Sequence, residues 1–162
     1  MDNRKYMKER IIKPEIIDKD YETADKINGN LACELAEKYP KMFREVLEQD
    51  MADVDGTFLG FVDTYYYLSK LIPKSWTIVD FGCAYNPQAY YFRKHRAFIG
   101  IDTGIRKRFH FENTDLFDGT IADYLKQNPP KEKVFAICNN VPSAEISLVR
   151  EYYSNCFIYY FA

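Results

Sequence analysis

The spacing of apolar residues changes along this chain from a helical to a strand-like pattern. In the first part, apolar side chains recur three or four positions apart, and Ile27, Leu31 and Leu35 form one such stripe. This spacing places them on one face of a helix. We therefore predict an N-terminal helical segment, residues 1–75, that packs as a cap or lid on a core formed by residues 76–162.

Short apolar runs alternate with helical stretches in the second part of the chain. We predict strands at residues 77–81, 97–101, 108–111, 134–138 and 156–161, and helices at residues 87–95, 120–127 and 143–153. Strands that alternate with helices indicate an α/β fold with a mainly parallel sheet that is covered on both faces. Ligands of such sheets bind beyond the carboxyl ends of the strands, where the strand order reverses.

The end of the first predicted strand carries the clearest chemical signal. An apolar run that contains Asp80 leads there into the small-residue turn Gly82-Cys83-Ala84. The backbone of such a turn can approach a ligand closely. About twenty residues further on, the next strand ends in Asp102, whose carboxylate is well placed to accept hydrogen bonds from the two hydroxyls of a ribose. The two signals together predict a site for a nucleotide-like ligand.

These residues resemble the first motif of the class I S-adenosylmethionine-dependent methyltransferases, which is a hydrophobic strand, an acid, one residue and a GxGxG-like turn. Gly82 and Ala84 match the first half of the turn, with alanine at the second small position, and Asn86 replaces the third glycine. Asparagine tolerates left-handed backbone angles, and Pro87 suits the first position of a helix. The turn is therefore expected to form without the third glycine.

The resemblance covers about residues 76–162 and implies a Rossmann-like, mainly parallel five-stranded sheet with the strand order 3-2-1-4-5. It also implies S-adenosylmethionine as the cofactor. The cofactor-binding positions that it implies are Asp80, Gly82, Cys83, Ala84, Asn86, Asp102, Asp115 and Leu116. Among these, Asp80 would lie near the methionine amino group and Asp102 would hold the ribose. Asp115, with Leu116 or Phe117, would meet the adenine from the loop after the third strand.

The end of the fourth predicted strand reads Asn139-Asn140-Val141-Pro142-Ser143. Methyltransferases place groups that contact the methyl acceptor here, and the segment is loosely similar to the Asn-Pro-Pro-aromatic motif of the amino-methylating members. The resemblance makes Asn139 and Asn140 the candidate catalytic residues, although the spacing differs and the aromatic residue is absent. The alternative is a polar turn in which Ser143 caps the next helix, and the two interpretations are compatible.

Two functions remain open at this stage. One is a methyltransferase that acts on a small molecule or a protein, and the other is a methyltransferase-like module that binds without transferring a methyl group. A nicotinamide dehydrogenase is a competing interpretation, but such enzymes usually show GxGxxG, and this turn has one glycine. We expect no counterpart of the two strands that methyltransferases usually add after the fifth strand. We therefore expect the aromatic edge at residues 156–161 to be covered by the N-terminal helices or paired in a homodimer.

Composition limits the partners and the compartment. The 162 residues include 22 basic and 24 acidic side chains, and the net charge of −2 gives no general attraction to nucleic acid, although a local basic patch keeps that partner open. No apolar run approaches the roughly 20 residues that a membrane-spanning helix needs, and no signal-peptide core is present, so we predict a cytoplasmic protein. The four cysteines form no CxxC pair, and we predict no metal site.

Overall fold

The computed structural model describes residues 11–12, 21–49, 54, 62–105, 107–129, 131–142 and 145–161. The helices are α1 (Tyr21–Lys38), α2 (Pro40–Leu47), α3 (Val62–Leu71), a 3-10 helix (Pro87–Phe92), α4 (Ile121–Gln127) and α5 (Ile146–Tyr152). The strands are β1 (Ile11–Ile12), β2 (Thr77–Phe81), β3 (Ala97–Asp102), β4 (Thr114–Asp118), β5 (Val134–Pro142) and β6 (Cys156–Phe161).

Within the described ranges, the strands form one sheet in the order β1-β6-β5-β2-β3-β4, and every neighbouring pair is parallel. Numbered from β2, the five longer strands have the order 3-2-1-4-5, which confirms the predicted topology. The chain runs outwards from β2 in one direction through β3 and β4, and in the other through β5 and β6. The strand order therefore reverses at β2, where the carboxyl ends of β2 and β5 meet.

Side chains of the central strand alternate between two layers of helices. Ile78 and Asp80 point to the face that is covered by α1, α2, α3 and the 3-10 helix, where Ile78 belongs to the larger apolar cluster. Val79 and Phe81 point to the other face and pack with residues of α4 and α5. This alternation is the normal geometry of a strand. It places the carboxyl group of Asp80 in the layer between the sheet and α3.

The third predicted strand is wrong in position. Residues 108–111 form no strand, and β4 begins at Thr114 instead. Phe109 and Phe111 are buried as the apolar pattern suggested, but they reach the core from an irregular segment whose Phe109 amide donates to the carbonyl of Tyr85 at 2.7 Å. Asp115 and Leu116 consequently lie inside β4 and not in the loop that follows it.

The helix predictions also need adjustment at their ends. The segment predicted as a helix at residues 87–95 is a 3-10 helix that ends at Phe92. The helix α4 begins with a capping box in which Thr120 and Asp123 each bond the backbone amide of the other. Ser143 lies outside the described residues, so its capping role stays a prediction. No helix in the described part of the chain has both the length and the apolar character that crossing a membrane requires.

The β6 edge has a neighbour within the same chain. The two residues of β1 pair with the start of β6 in parallel, with Ile11 opposite Cys156 and Ile12 opposite Phe157. We expected helices or a second copy of the chain at this position. In the described residues the partner is instead a short strand from the N-terminal segment, and pairing in a homodimer stays a prediction.

Candidate functional site

The turn after β2 has the backbone geometry that the sequence predicted. Gly82, Ala84 and Asn86 adopt positive φ angles of 84°, 50° and 68°. Glycine and asparagine enter this left-handed region readily, whereas alanine does so at a cost. The amides of Gly82 and Cys83 both donate to the carbonyl of Ile101, at 2.8 and 3.0 Å. The turn therefore lies over the carboxyl end of β3, and Gly82 is exposed there.

Asp102 meets this turn directly. Its Oδ2 accepts a hydrogen bond from the Ala84 amide at 2.8 Å, and its Oδ1 accepts one from the Thr103 amide at 2.7 Å. The residue is half-buried. The two oxygens of a carboxylate together offer about four acceptor positions. About two of them remain available on Asp102, beside the exposed backbone of the turn.

Asp80 has a different environment, because it is fully buried. Its Oδ1 accepts from the hydroxyl of Tyr65 at 2.8 Å, and its Oδ2 accepts from Nε2 of Gln88 at 2.8 Å. Burial raises the pKa of Asp80 to about 7, although both hydrogen bonds lower it, and the negative charge of Asp102 raises it further. Gln88 also donates from the same nitrogen to the carbonyl of Cys83 at 2.9 Å, which connects the turn to Asp80.

Sequence reasoning missed Tyr65 and Gln88. The ring of Tyr65 fits the apolar pattern of its helix and is buried, but its hydroxyl donates to the carboxyl group of Asp80. A signal was available, because a carboxyl group at the end of a central buried strand needs hydrogen-bond donors. Polar groups at core-facing positions nearby, such as Tyr65 and Gln88, are the candidates that this argument selects.

Asn86 is fully buried, and its side chain faces the protein. Its Nδ2 donates to the carbonyl of Phe109 at 3.1 Å, while its Oδ1 has no partner. A Cβ atom on Gly100 would lie 2.8 Å from that oxygen, so Gly100 makes room for the amide. Asn86 therefore supports the segment that carries Phe109, and the residue has no exposed surface.

A buried arginine joins the carboxyl ends of β3 and β4. The guanidinium of Arg108 donates to the carbonyls of Asp102 and Phe117, each at 3.0 Å, and lies 3.7 Å from Oδ1 of Asp118. The same oxygen of Asp118 accepts from the Gly104 amide at 3.1 Å. These bonds hold the loop after β3 against the end of β4.

The register of β4 separates the predicted adenine contacts from the rest of the site. Asp115 lies opposite Ile99, and Leu116 lies opposite Gly100, whereas Asp118 lies opposite Asp102. Asp115 and Leu116 are exposed. The side chain at the ligand end of β4 is thus Asp118, which the sequence interpretation passed over because it placed the third strand too early.

The end of β5 lies beside the turn and contains a bulge. Cys138 is opposite Phe81 of β2, and the next residue, Asn139, is buried. Asn139 pairs with Tyr159 and the pairing resumes at Val141, so Asn140 is an extra residue in β5. Bulges of this kind redirect side chains at the ends of strands. The structure thus brings Asn139 to the same edge of the sheet as the turn.

The thiols at this edge are packing groups. Cys83 and Cys138 are buried and unbridged, and burial raises the pKa of both thiols well above the usual value. A protonated, enclosed thiol is a poor nucleophile. Among the residues that the structure describes, no group of three or more His, Cys, Asp or Glu side chains is arranged to hold a metal ion.

The strand order and the parallel pairing decide the fold. The fold is Rossmann-like. No family model matches the chain, and no curated protein matches it. Among solved structures, the chain is similar to the Trypanosoma brucei PRMT1 enzyme-prozyme heterotetrameric complex with AdoHcy, at 14% identity and a TM-score of 0.40 over 54% of this chain. The matched part is 31% of that protein, so this chain spans about a third of its length.

Proposed function

We propose that this chain is an S-adenosylmethionine-binding, methyltransferase-like protein that holds the nucleoside part of its ligand over the carboxyl ends of β2 and β3. The observation that carries the proposal is the half-buried carboxylate of Asp102, bonded to the Ala84 amide within a turn of left-handed residues. The exposed backbone of Gly82 gives a ligand access to the same place.

The donor and acceptor chemistry of Asp102 fits a ribose. Backbone amides of Ala84 and Thr103 engage one position on each oxygen. One further position on each oxygen then remains for the 2′ and 3′ hydroxyls, since a carboxylate oxygen has two lone pairs. The backbone bonds also fix the orientation of the carboxylate before the ligand arrives, which reduces the entropy lost on binding.

For methyl transfer, the bound cofactor would supply an electrophilic methyl group, and the protein would supply position. Reaction with a neutral amine or an activated carbon depends mainly on alignment and on the exclusion of water. We assign Asn139 and Asn140, at the bulged end of β5, to the side of the methyl acceptor, which is a small molecule or a protein. Pairing of two copies along the part of β6 that the described residues of β1 do not pair, and a cytoplasmic location, belong to the same proposal.

The second candidate is a methyltransferase-like module that binds the nucleoside and transfers nothing. One observation favours it. The acid that would face the methionine amino group, Asp80, is fully buried, and both of its oxygens are bonded to side chains of the protein. The ribose end of the site fits the cofactor, whereas Asp80 offers it no free oxygen at the other end.

Titration calorimetry tests the shared part of both candidates. We expect S-adenosylmethionine and S-adenosylhomocysteine to bind the wild type, and Asp102→Asn to weaken both about tenfold or more, because hydrogen bonds to a charged group contribute about 1.5–3 kcal/mol. Asp115→Asn is the matched control, since Asp115 is an exposed aspartate inside β4. The absence of binding at millimolar ligand, or equal losses in both variants, would contradict the proposal. A labelled-methyl transfer assay on an acceptor panel then separates the two candidates.

A further inference from the structure

The acid at the end of β2 is enclosed by the protein on every side that the structure describes. Asp80, Tyr65 and Gln88 are all buried. Their hydrogen bonds come from two different elements, since Tyr65 belongs to α3 and Gln88 to the 3-10 helix. The enclosure is therefore part of the packing between the sheet and its helical layer. It does not depend on a single side chain that covers an otherwise open carboxylate.

This enclosure leaves no place for a positive charge. No cation of the described residues pairs with Asp80, and each oxygen already accepts a bond of 2.8 Å. Each oxygen keeps a second lone pair, as on Asp102, but Asp80 has no exposed surface, so an incoming ammonium group could reach it only by displacing the hydroxyl of Tyr65 or the amide of Gln88. The displaced donor would then be buried without a hydrogen-bond partner. The free energy lost in this way makes binding of the ammonium group at Asp80 less favourable than leaving it in water.

Gln88 resists displacement more than a single bond suggests. Its Nε2 donates to Asp80 and also to the carbonyl of Cys83, at 2.8 and 2.9 Å. Moving the amide would break both bonds and would release the turn that the ligand needs. Binding of an ammonium at Asp80 and preservation of the turn are thus in conflict.

Asp102 behaves in the opposite way. It is half-buried, its two bonds come from backbone amides, and acceptor positions remain on it. One end of the site is prepared for the hydroxyls of a ribose, while the acid at the other end is closed to an amino group.

We propose that the site recognises a ribonucleoside by its sugar and does not recognise an amino-acid tail on the 5′ substituent. The ligand class is a 5′-substituted ribonucleoside, S-adenosylmethionine and S-adenosylhomocysteine included, that is held by its sugar and not through the ammonium group of its tail. This inference rests on the proposed function, because it requires a nucleoside at Asp102. It goes further in assigning Asp80 to the structure of the turn instead of to the ligand.

A matched pair of ligands tests the inference. S-adenosylhomocysteine and 5′-methylthioadenosine share the adenosine and the 5′ sulfur, and only the first carries an amino acid. Titration calorimetry on the full chain should give dissociation constants for the two that agree within about threefold. With Asp102→Asn, both ligands should weaken together, because both are held by the ribose.

The outcomes separate the inference from the proposed function. If S-adenosylhomocysteine binds more than about threefold tighter than 5′-methylthioadenosine, the tail is recognised and the inference is overturned, while the proposed function stands. A further check is Asp80→Asn, which overturns the inference if it selectively weakens S-adenosylhomocysteine. If that variant does not fold, the wild-type ratio alone decides. If neither ligand binds at millimolar concentration, the proposed function fails and the inference fails with it.

Discussion

The hydroxyl of Tyr65 allows a quantitative test of the buried hydrogen bonds around Asp80. Tyr65→Phe keeps the ring in the core and removes only the 2.8 Å bond to Oδ1 of Asp80. The loss depends on the charge of the acceptor. A bond between neutral groups contributes about 0.5–1.5 kcal/mol, and a bond to a charged group contributes about 1.5–3 kcal/mol.

The pH therefore sets the size of the effect. Burial raises the pKa of Asp80 from 3.8 to about 7, so the group is largely protonated at pH 5 and largely ionised at pH 9. We expect Tyr65→Phe to lower the free energy of unfolding by about 1 kcal/mol at pH 5 and by about 2–3 kcal/mol at pH 9. The difference arises because only the ionised carboxylate loses a charge-assisted bond.

The wild type should itself lose stability as the pH rises. Between pH 4 and pH 7 the folded chain keeps the proton on Asp80, whereas the unfolded chain has released it, so each increase in pH favours unfolding. The raised pKa corresponds to a stabilising contribution of about 4 kcal/mol to the free energy of unfolding. This contribution is lost across that interval, and the pH dependence from Asp80 ends above it. In Tyr65→Phe the decline should extend to higher pH, because the missing bond had lowered the pKa of Asp80.

Urea unfolding followed by circular dichroism at pH 5, 7 and 9 measures these differences. Tyr66→Phe is the matched control, because Tyr66 is the next residue of α3 and its ring packs on Tyr91 instead of bonding Asp80. Its effect should not depend on pH. The reasoning would be refuted if the effect of Tyr65→Phe were the same at pH 5 and pH 9, or if the control showed the same dependence.

Four further substitutions test other parts of the structure. Gly100→Ala should destabilise the fold by about 1–3 kcal/mol in urea unfolding, because its Cβ would lie 2.8 Å from the side chain of Asn86. Gly29→Ala should instead stabilise the fold by about 0.5–1 kcal/mol, because Gly29 lies inside α1 with open space around it. Thr120→Ala removes the cap of α4 and should lower stability by about 1 kcal/mol in thermal unfolding. Arg108→Lys cannot reproduce both carbonyl contacts, and hydrogen exchange should show faster opening of residues 103–105.

The sequence predicted what depends on local pattern and failed where distant residues decide. The parallel sheet followed from alternating strands and helices, its strand order followed from the family resemblance, and the left-handed conformation of Asn86 followed from its residue type. The third strand was misplaced because Phe109 and Phe111 have the spacing of a strand while they pack from an irregular segment. Local spacing does not reveal whether a backbone amide meets another strand or, as for Phe109, the turn after β2.

The candidate site divides in the same way. Asp102 and the turn were predicted together because their separation along the chain reflects one strand, one helix and the next strand. The partners of Asp80 were not predicted, because Tyr65 comes from a helix that precedes β2 and its ring fits the apolar pattern equally well. A hydroxyl at the tip of a buried ring changes the chemistry of a site without changing the hydrophobic pattern.

The pairing of β1 with β6 affects how this protein can be shortened. The N-terminal segment contributes helices to one face of the sheet and a strand to its margin. A fragment that starts at residue 76 would lose both at once. The sheet would expose an apolar surface, and the unpaired backbone groups of the aromatic strand β6 could bond to other chains. Such a fragment should aggregate on expression, and the smallest soluble version of this protein should begin before Ile11.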